Sequence, residues 1–478
     1  MVILIKKLNA PLYQSVRKYA ASKPVPFHMP GHKLGRGLPD DVGRELLSLD
    51  VTEIPGMDNL HAPEGVIREA QELAAKAFGA DKTYFLVNGS SSGIHAMIMA
   101  LCKPGDKLIV SRDCHKSVIA AMILAGVRPV YVLPEFNSDF AISETVDVLK
   151  LTKAIELNPD AAGVLITRPN YYGICSDVER IAKVVHSRNM VLMVDEAHGA
   201  HLGFSSCLPK SAMEAGADIC VQSAHKTLPA LTQGAYLHVK SRKVDIDRLE
   251  FFLDLLQTTS PSYIIMSMLD IARCIMDEKG AGLLKKLLAG INSLETLIDE
   301  CPGMRLLKEK DIRGGSLDKT RMVINLKEFG RTGYETEKIL RDTYNIQVEM
   351  SDFYNIVCIT TVADEAAELE SLGISLADLS ASFRKKEPLP DKYAKKMQLP
   401  EQAMELKDIK NAKCTKLPLS KAAGRISRSI VTPYPPGIPL VCPGEIIMEE
   451  TVEYVYNIIE FGGKVNGLSG NMEVLVVD

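Results

Sequence analysis

The sequence has almost no surplus of one charge. Lys and Arg number 56 against 60 Asp and Glu, a net charge of −4 over 478 residues. A chain without a basic excess has little with which to neutralise phosphates, so nucleic acid is not expected as its main partner. The mildly acidic balance is compatible with a cationic substrate. None of the ten cysteines stands in a CxxC pair, which removes the zinc ribbon and the dithiol redox motif. Most lie within apolar runs, where a thiol behaves as a small hydrophobe, and the expectation is a reduced, cytoplasmic protein. No apolar run approaches the ~18 residues of a membrane span. The opening MVILIKKLNAPLY is too briefly apolar before its lysines to act as a signal peptide. No internal repeat or low-complexity tract occurs, and neither does a Walker A or GxGxxG loop, which weakens nucleotide readings.

Apolar residues make up 46% of the chain, ample for a large core, and the length allows two or three domains. Between about residues 80 and 240, short apolar runs alternate with helical patterns. TYFLV (83–87), KLIVS (107–111), VRPVYVL, GVLIT, MVLMVDE, ICVQS and GAYLHV read as strands. GIHAMIMALC (93–102), HKSVIAAMILAG and DVERIAKVVHS read as helices. This spacing predicts a mainly parallel sheet covered on both faces. The pattern turns helical after 243, notably over 262–300. A smaller α/β region follows, then a Lys/Pro/Glu-rich connector (RKKEPLPDKYAKK) and a last segment. The expected division is 1–300 (amino-terminal arm and large domain), 301–383 (small α/β domain), 384–415 (connector) and 416–478 (carboxyl-terminal segment).

Ligands of such sheets bind beyond the carboxyl ends of the strands. There the sequence places Asn88-Gly89-Ser90-Ser91-Ser92, Arg112 to His115, Asp195 to His198, and Ser223 to Lys226. A desolvated lysine has a lowered pKa and forms Schiff bases with carbonyls. A carboxylate at the end of an apolar strand needs a cationic partner. Asp195 can meet that need by holding a protonated pyridine nitrogen, which pyridoxal phosphate (PLP) requires to act as an electron sink. NGSSSG, between a strand and a helix, suits an anion. Ser90 and Ser91 are the expected phosphate ligands, with Ser223 and His225 adding donors. His115 is placed to stack on an aromatic cofactor. Each feature alone also has a plain reading as a cap, a turn or a surface charge. DEAHGAH (195–201) and HMPGH (28–32) invite a metal, but Pro30 and Gly31 forbid an ordinary helix between His28 and His32. A metal would also leave Lys226 and the phosphate loop unexplained, so no metal is expected.

Five motifs in order, PFHMPGHK, TEIPGMDNLHAPEG, DEAHGAH, SAHKTLPALTQGAYL and PYPPGIPLVCPGE, resemble the bacterial ornithine/lysine/arginine decarboxylases. The resemblance runs from about Pro11 to the carboxyl terminus. It implies a PLP enzyme of the aspartate-aminotransferase fold (fold type I) with a small carboxyl-terminal α/β domain. It also implies that Lys226 carries the cofactor, that Asp195 partners the pyridine nitrogen and that His115 stacks on the ring. By the same resemblance, Ser90, Ser91, Ser223 and His225 meet the phosphate and His198 lies beside the ring. Thr259 or Ser260 resembles a phosphate contact supplied by the neighbouring subunit, so the resemblance implies a homodimer or higher oligomer with its site at the interface. The expected reaction is decarboxylation of a basic L-amino acid. Arginine, giving agmatine, is favoured by similarity to the short Gram-positive form; lysine (to cadaverine) and ornithine (to putrescine) stay open. Lys226 and His225 are candidate acids for reprotonating Cα. Glu349, Asp352, Glu445, Glu53 and Asp58 are candidate acceptors for the substrate's basic end, Tyr434 a further lining residue, and Arg425 a candidate for its carboxylate. An aminotransferase, an amino-acid lyase, a non-catalytic PLP-binding relative and a metal-dependent hydrolase are the alternatives.

Overall fold

The computed structural model describes residues 10–383, 387–394, 396, 398–434 and 437–478. The opening MVILIKKLN, part of the RKKEPLPDKYAKK connector and Pro435–Pro436 of PYPPGIP lie outside the described residues.

Seven of the apolar runs form one sheet. Its strands are β1 (Lys82–Leu86), β2 (Lys107–Ser111), β3 (Arg128–Val132), β4 (Gly163–Thr167), β5 (Val191–Asp195), β6 (Ile219–Gln222) and β7 (Ala235–Val239). Their order across the sheet is β1-β7-β6-β5-β4-β2-β3. All pairings are parallel except those of β7 with β6 and β1. The carboxyl ends of β1, β2, β4, β5 and β6 therefore share one edge. The run of β-branched and aliphatic residues in β4–β6 is buried throughout, as a strand covered on both faces requires.

The helices that follow β1 and β2 pack on one face: α1 (Gly89–Leu101) and α2 (Lys116–Ala125). Val148–Leu157 and Val178–Ser187 cover the other. Helix α1 starts four residues earlier than its apolar periodicity suggests, so Ser90–Ser92 occupy its first turn. α2 stops where Gly126 adopts the left-handed conformation (φ +69°) that favours glycine.

Helix α3 (Tyr263–Asp299) has 37 residues, about 55 Å at ~1.5 Å per residue. Its apolar stripe, Met266 to Ile298, joins the sheet to a second core that includes helix α4 (Ala366–Phe383). That core holds a four-stranded sheet of β8 (Arg305–Leu306), β9 (Arg321–Asn325), β10 (Met350–Ser351) and β11 (Asn355–Ile359), in the order β8-β9-β11-β10. The stretch IQVEM (346–350) is split between two sheets, because Ile346–Val348 pairs in parallel with the amino-terminal Val25–Phe27.

The segment after that arm strand is a strap. Gly31 N donates to the His225 carbonyl (2.7 Å), and Thr361 Oγ1 donates to the Gly31 carbonyl (2.8 Å). A Cβ on Gly31 would lie 2.5 Å from the Leu228 carbonyl oxygen, so a side chain there would force the strap off the Lys226 loop. Lys33 is buried beneath it. Its ammonium donates to the carbonyls of Pro26 (2.8 Å) and Ile359 (2.7 Å), with Asp364 at 3.4 Å as counter-charge.

Candidate active site

Lys226 sits in the helical turn Ala224–Thr227, directly after β6. Burial lowers its pKa from 10.5 to about 8, while Asp195 pulls it back up. Asp195 ends the adjacent strand β5 and is buried. Burial raises its pKa; Lys226 and the Ala197 N–H oppose that shift. Among the described residues only Ala197 N, at 3.1 Å, donates to this carboxylate. Asp195 thus keeps acceptor capacity for a cationic N–H, in a place where an unmatched charge is costly.

His198, three residues after Asp195, has its Nε2 3.0 Å from Lys226 Nζ. Its Nδ1 lies 2.7 Å from Nη2 of Arg321, the first residue of β9, and the Tyr171 ring centre is 5.2 Å from the imidazole. His115 is the N-cap of α2, and its Nδ1 accepts from Ser117 N. Burial, then the charge of Lys226, pushes its pKa down to about 3, so the ring is neutral and faces the lysine. A Cβ on Gly437 would lie 3.7–3.9 Å from Tyr171, His115 and Tyr434, which places the carboxyl-terminal segment over His115. Tyr434 itself is exposed.

The candidate anion site is built on α1. Its first N–H groups have no partner within the helix, and Gly89 takes φ +77° to open the turn. Ser223, fully buried, donates its hydroxyl to Ser90 Oγ at 2.8 Å, which leaves the Ser90 proton free for a ligand. Ser91 is half-buried in the same turn. His225 departs from expectation. Its Nδ1 must donate to the Gly234 carbonyl (3.0 Å), and burial lowers its pKa to about 4. The neutral ring then offers only a lone pair at Nε2, so it is neither an anion donor nor an acid. Thr259 and Ser260 are exposed on a turn tied to the start of α1, where Thr258 N donates to Asn88 Oδ1 at 3.1 Å.

Of the candidate acceptors, Glu349 alone faces the lysine. It is half-buried, accepts from Met29 N at 2.8 Å, and its charge acts on Lys226, Lys33 and Arg321. It borders a cleft of about 370 Å³ with Tyr19, His28, Met29, Gln347 and Val348. Glu445 is corrected. It is fully buried, its Oε2 paired with Arg112 Nη2 at 3.0 Å, and the same oxygen accepts from Cys442 N (2.6 Å). Both partners of that pair are out of reach of any ligand. Removing one partner of a buried ion pair costs about 3–5 kcal/mol, so Glu445→Gln is expected to lower the melting temperature clearly in a thermal-unfolding scan. Asp352 is corrected too. Its carboxylate closes the turn before β11, accepting from Tyr354 N and Asn355 N (both 2.8 Å) and from Tyr172 Oη (3.0 Å). Asp58 is committed likewise, accepting from the N–H groups of Asn59, Glu64, Gly65, Ile67 and Arg68. Glu53 is exposed. Arg425 donates to the Val477 carbonyl at 3.0 Å and so fastens the carboxyl-terminal strand.

Arg321 and Tyr171 escaped sequence reasoning. The only available signal was an arginine directly before the apolar run MVINL. In DEAHGAH the imidazoles diverge: His198 turns to Lys226, while His201 meets Asp318 (3.2 Å) and Thr320 (3.0 Å). Among the described residues no group of three or more His, Cys, Asp or Glu side chains could hold a metal ion.

A buried carboxylate with acceptor capacity, an amine of lowered pKa and a helix terminus rich in hydroxyls together suit PLP. The donor set matches its ring nitrogen, aldehyde and phosphate in turn.

The model of the Orn/Lys/Arg decarboxylase major domain matches residues 10–317, and that of the C-terminal domain of the same family matches 386–477. The arginine decarboxylase of Bacillus subtilis (strain 168) is 38% identical over 469 residues, covering 96% of this chain and 95% of that protein. The lysine decarboxylase LdcA of Pseudomonas aeruginosa is 24% identical, covering 93% and 75%. The crystal structure of the Francisella novicida lysine decarboxylase LdcF superposes with a TM-score of 0.78 at 22% identity, covering 98% of this chain and 81% of that one. An alanine–glyoxylate aminotransferase from Nostoc superposes at 0.57, covering 70% and 92%, which reflects the shared fold-type I architecture. With both family models matched and a relative this similar along nearly its whole length, the chain belongs to the ornithine/lysine/arginine decarboxylase family.

Proposed function

We propose that this protein decarboxylates arginine to agmatine and CO₂ with pyridoxal phosphate as cofactor. The observation that carries the reading is a buried carboxylate, Asp195, whose charge acts on the buried, lowered-pKa amine of Lys226, where the charge of Glu349 is also felt. The choice of arginine over lysine or ornithine rests on the relatives of 38% identity, which are named arginine decarboxylase. The matched segments 10–317 and 386–477 also support a major and a carboxyl-terminal functional unit, within which we keep the boundaries 1–300, 301–383, 384–415 and 416–478.

The cofactor, when bound, supplies a conjugated ring that takes up the electron pair released as CO₂ leaves. The chain's own residues do the rest. Ser90, Ser91, Ser223 and the first N–H groups of α1 hold the phosphate. Asp195 holds the proton on the pyridine nitrogen, since an adjacent opposite charge shifts a pKa by roughly 1–3 units. His115 would stack on the ring, and His198 would stand beside it. Lys226 Nζ provides the nucleophilic amine. It would also return to Cα a proton taken up from the incoming substrate's ammonium group, because the N–H of His225 is committed to Gly234. Glu349 receives the substrate's guanidinium, and the strap and carboxyl-terminal segment exclude water.

We further propose a homodimer or larger assembly in which the exposed Thr259 or Ser260 reaches the partner's phosphate site. We also propose a cytoplasmic setting, supported by ten unpaired thiols.

A panel of arginine, lysine and ornithine, with amine and CO₂ detection, tests the reaction. Arginine should give the highest kcat/KM; a preference for lysine or ornithine would overturn the substrate, and amino transfer to a keto acid would overturn the reaction. Glu349→Gln should raise KM for arginine more than it lowers kcat. The loss in kcat/KM should be on the order of 10- to 100-fold, the scale of one charge-assisted hydrogen bond.

A further inference from the structure

Arg321 is buried at the start of β9, and its Nε has no partner among the described residues. Nη1 donates to the Tyr171 carbonyl at 3.0 Å, and Nη2 stands 2.7 Å from His198 Nδ1. A guanidinium carries five N–H donors and no lone pair to offer, and it keeps its charge in proteins. His198 Nδ1 must therefore be the acceptor of that bond. The His198 ring is neutral, because burial and the charges of Lys226 and Arg321 all push its pKa down. A neutral imidazole has one N–H, so the proton sits on Nε2. That N–H points at Lys226 Nζ, 3.0 Å away. An ammonium has no lone pair, so this contact is a hydrogen bond only when Lys226 is a free amine. The opposite assignment would press the Arg321 and His198 N–H groups together at 2.7 Å.

We infer that Arg321 is a positioning residue: it fixes His198 in the Nε2–H tautomer, and His198 in turn selects the amine form of Lys226. This deepens the proposed function, since it rests on Lys226 being the lysine that captures the cofactor. The groups facing Lys226 divide by sign. Asp195 and Glu349 favour its ammonium, and Arg321 opposes it. The neutral rings of His115, His198 and His225 complete the surroundings. Arg321 belongs to the small sheet, whereas His198 and Lys226 belong to the large one. The tautomer is therefore imposed only where the two sheets are docked.

The test uses the full chain without cofactor, labelled with ¹⁵N-histidine, the His198 signals being identified by their loss in His198→Gln. In the wild type, Nδ1 should show the shift of an unprotonated ring nitrogen and Nε2 that of a protonated one. Arg321→Met should populate the Nδ1–H form, and Arg321→Lys, which keeps a charged donor, should restore the wild-type pattern. Methylation of Lys226 by formaldehyde and cyanoborohydride, followed by peptide mass spectrometry across pH, gives a second readout. Its midpoint near about 8 in the wild type should move up by roughly one unit in Arg321→Met, because a neighbouring positive charge is gone. A protonated Nδ1 in the wild type, or a tautomer and midpoint unmoved by Arg321→Met, would overturn the inference. The expected tautomer in a protein that releases no CO₂ supports the relay and counts only against the reaction.

Discussion

Lys226→Ala should leave no measurable turnover, with a loss on the order of 10⁴–10⁶ in kcat, the scale seen when an enzyme's nucleophile is removed. The side chain is placed for one task. It stands at the carboxyl end of β6, its amine is desolvated, and its neighbours are a carboxylate, a neutral imidazole and a guanidinium. No other described lysine faces Asp195. The variant should also lack the visible absorption that reconstituted wild type develops with PLP. A structural control is built into the titration. The folded lysine loses its proton near pH 8, the unfolded one near 10.5. Between those values the unfolded chain binds the extra proton, so wild-type stability should climb with pH across that window. Lys226→Ala should lose this climb while keeping its circular-dichroism spectrum. Turnover within tenfold of wild type would refute the role of Lys226.

Asp195→Asn should cost two to three orders of magnitude in kcat, on the scale of removing one preorganised electrostatic partner from a closed site. The amide is isosteric and can keep the Ala197 N–H bond, so the fold of β5 should survive. What it lacks is the negative charge proposed to hold a proton on a pyridine nitrogen. The substitution has an independent signature. Asp195 raises the Lys226 pKa, so its loss should make Lys226 react with aldehydes at lower pH, opposite in sign to Arg321→Met. Single-turnover CO₂ release separates this from weakened cofactor binding. A variant that binds PLP and decarboxylates at the wild-type rate would sink the assignment.

The large sheet was legible because β4, β5 and β6 are uniformly apolar, and each stops at a polar residue where the shared edge begins. That pattern alone placed Asp195 and Lys226 at the same edge. The edges of helices were less legible. Ser90–Ser92 look like loop, yet their backbone joins α1, since serine in a first turn satisfies the helix start as readily as it ends a strand. Arg321 was beyond sequence reading, because its partners belong to a different sheet and meet it where Gly315–Leu317 pairs with Ile174–Ser176, a pairing between segments about 140 residues apart. Glu445 and Arg112 look like two surface charges 333 residues apart, and only their complete burial makes them a pair. Asp352 misled as a candidate ligand, although an aspartate two and three residues before Tyr354 and Asn355 has the spacing of a turn that binds its own backbone. The direction of the His225 hydrogen bond depends on where the Gly234 carbonyl points, which no residue letter encodes.

The strap fixes the order in which the site can be finished. Met29 N and Glu349 are 320 residues apart, and Lys33 and Ile359 are 326 apart. On a ribosome the arm emerges first, but the surfaces it joins exist only after β11 has been made. Domains tend to fold as units during synthesis. The turn that holds Lys226 can therefore form more than a hundred residues before the strap has a second anchor. Until then the lysine stands uncovered on that side, in a water-exposed nascent chain. Burial of the amine on that side thus waits for contacts made across more than three hundred residues.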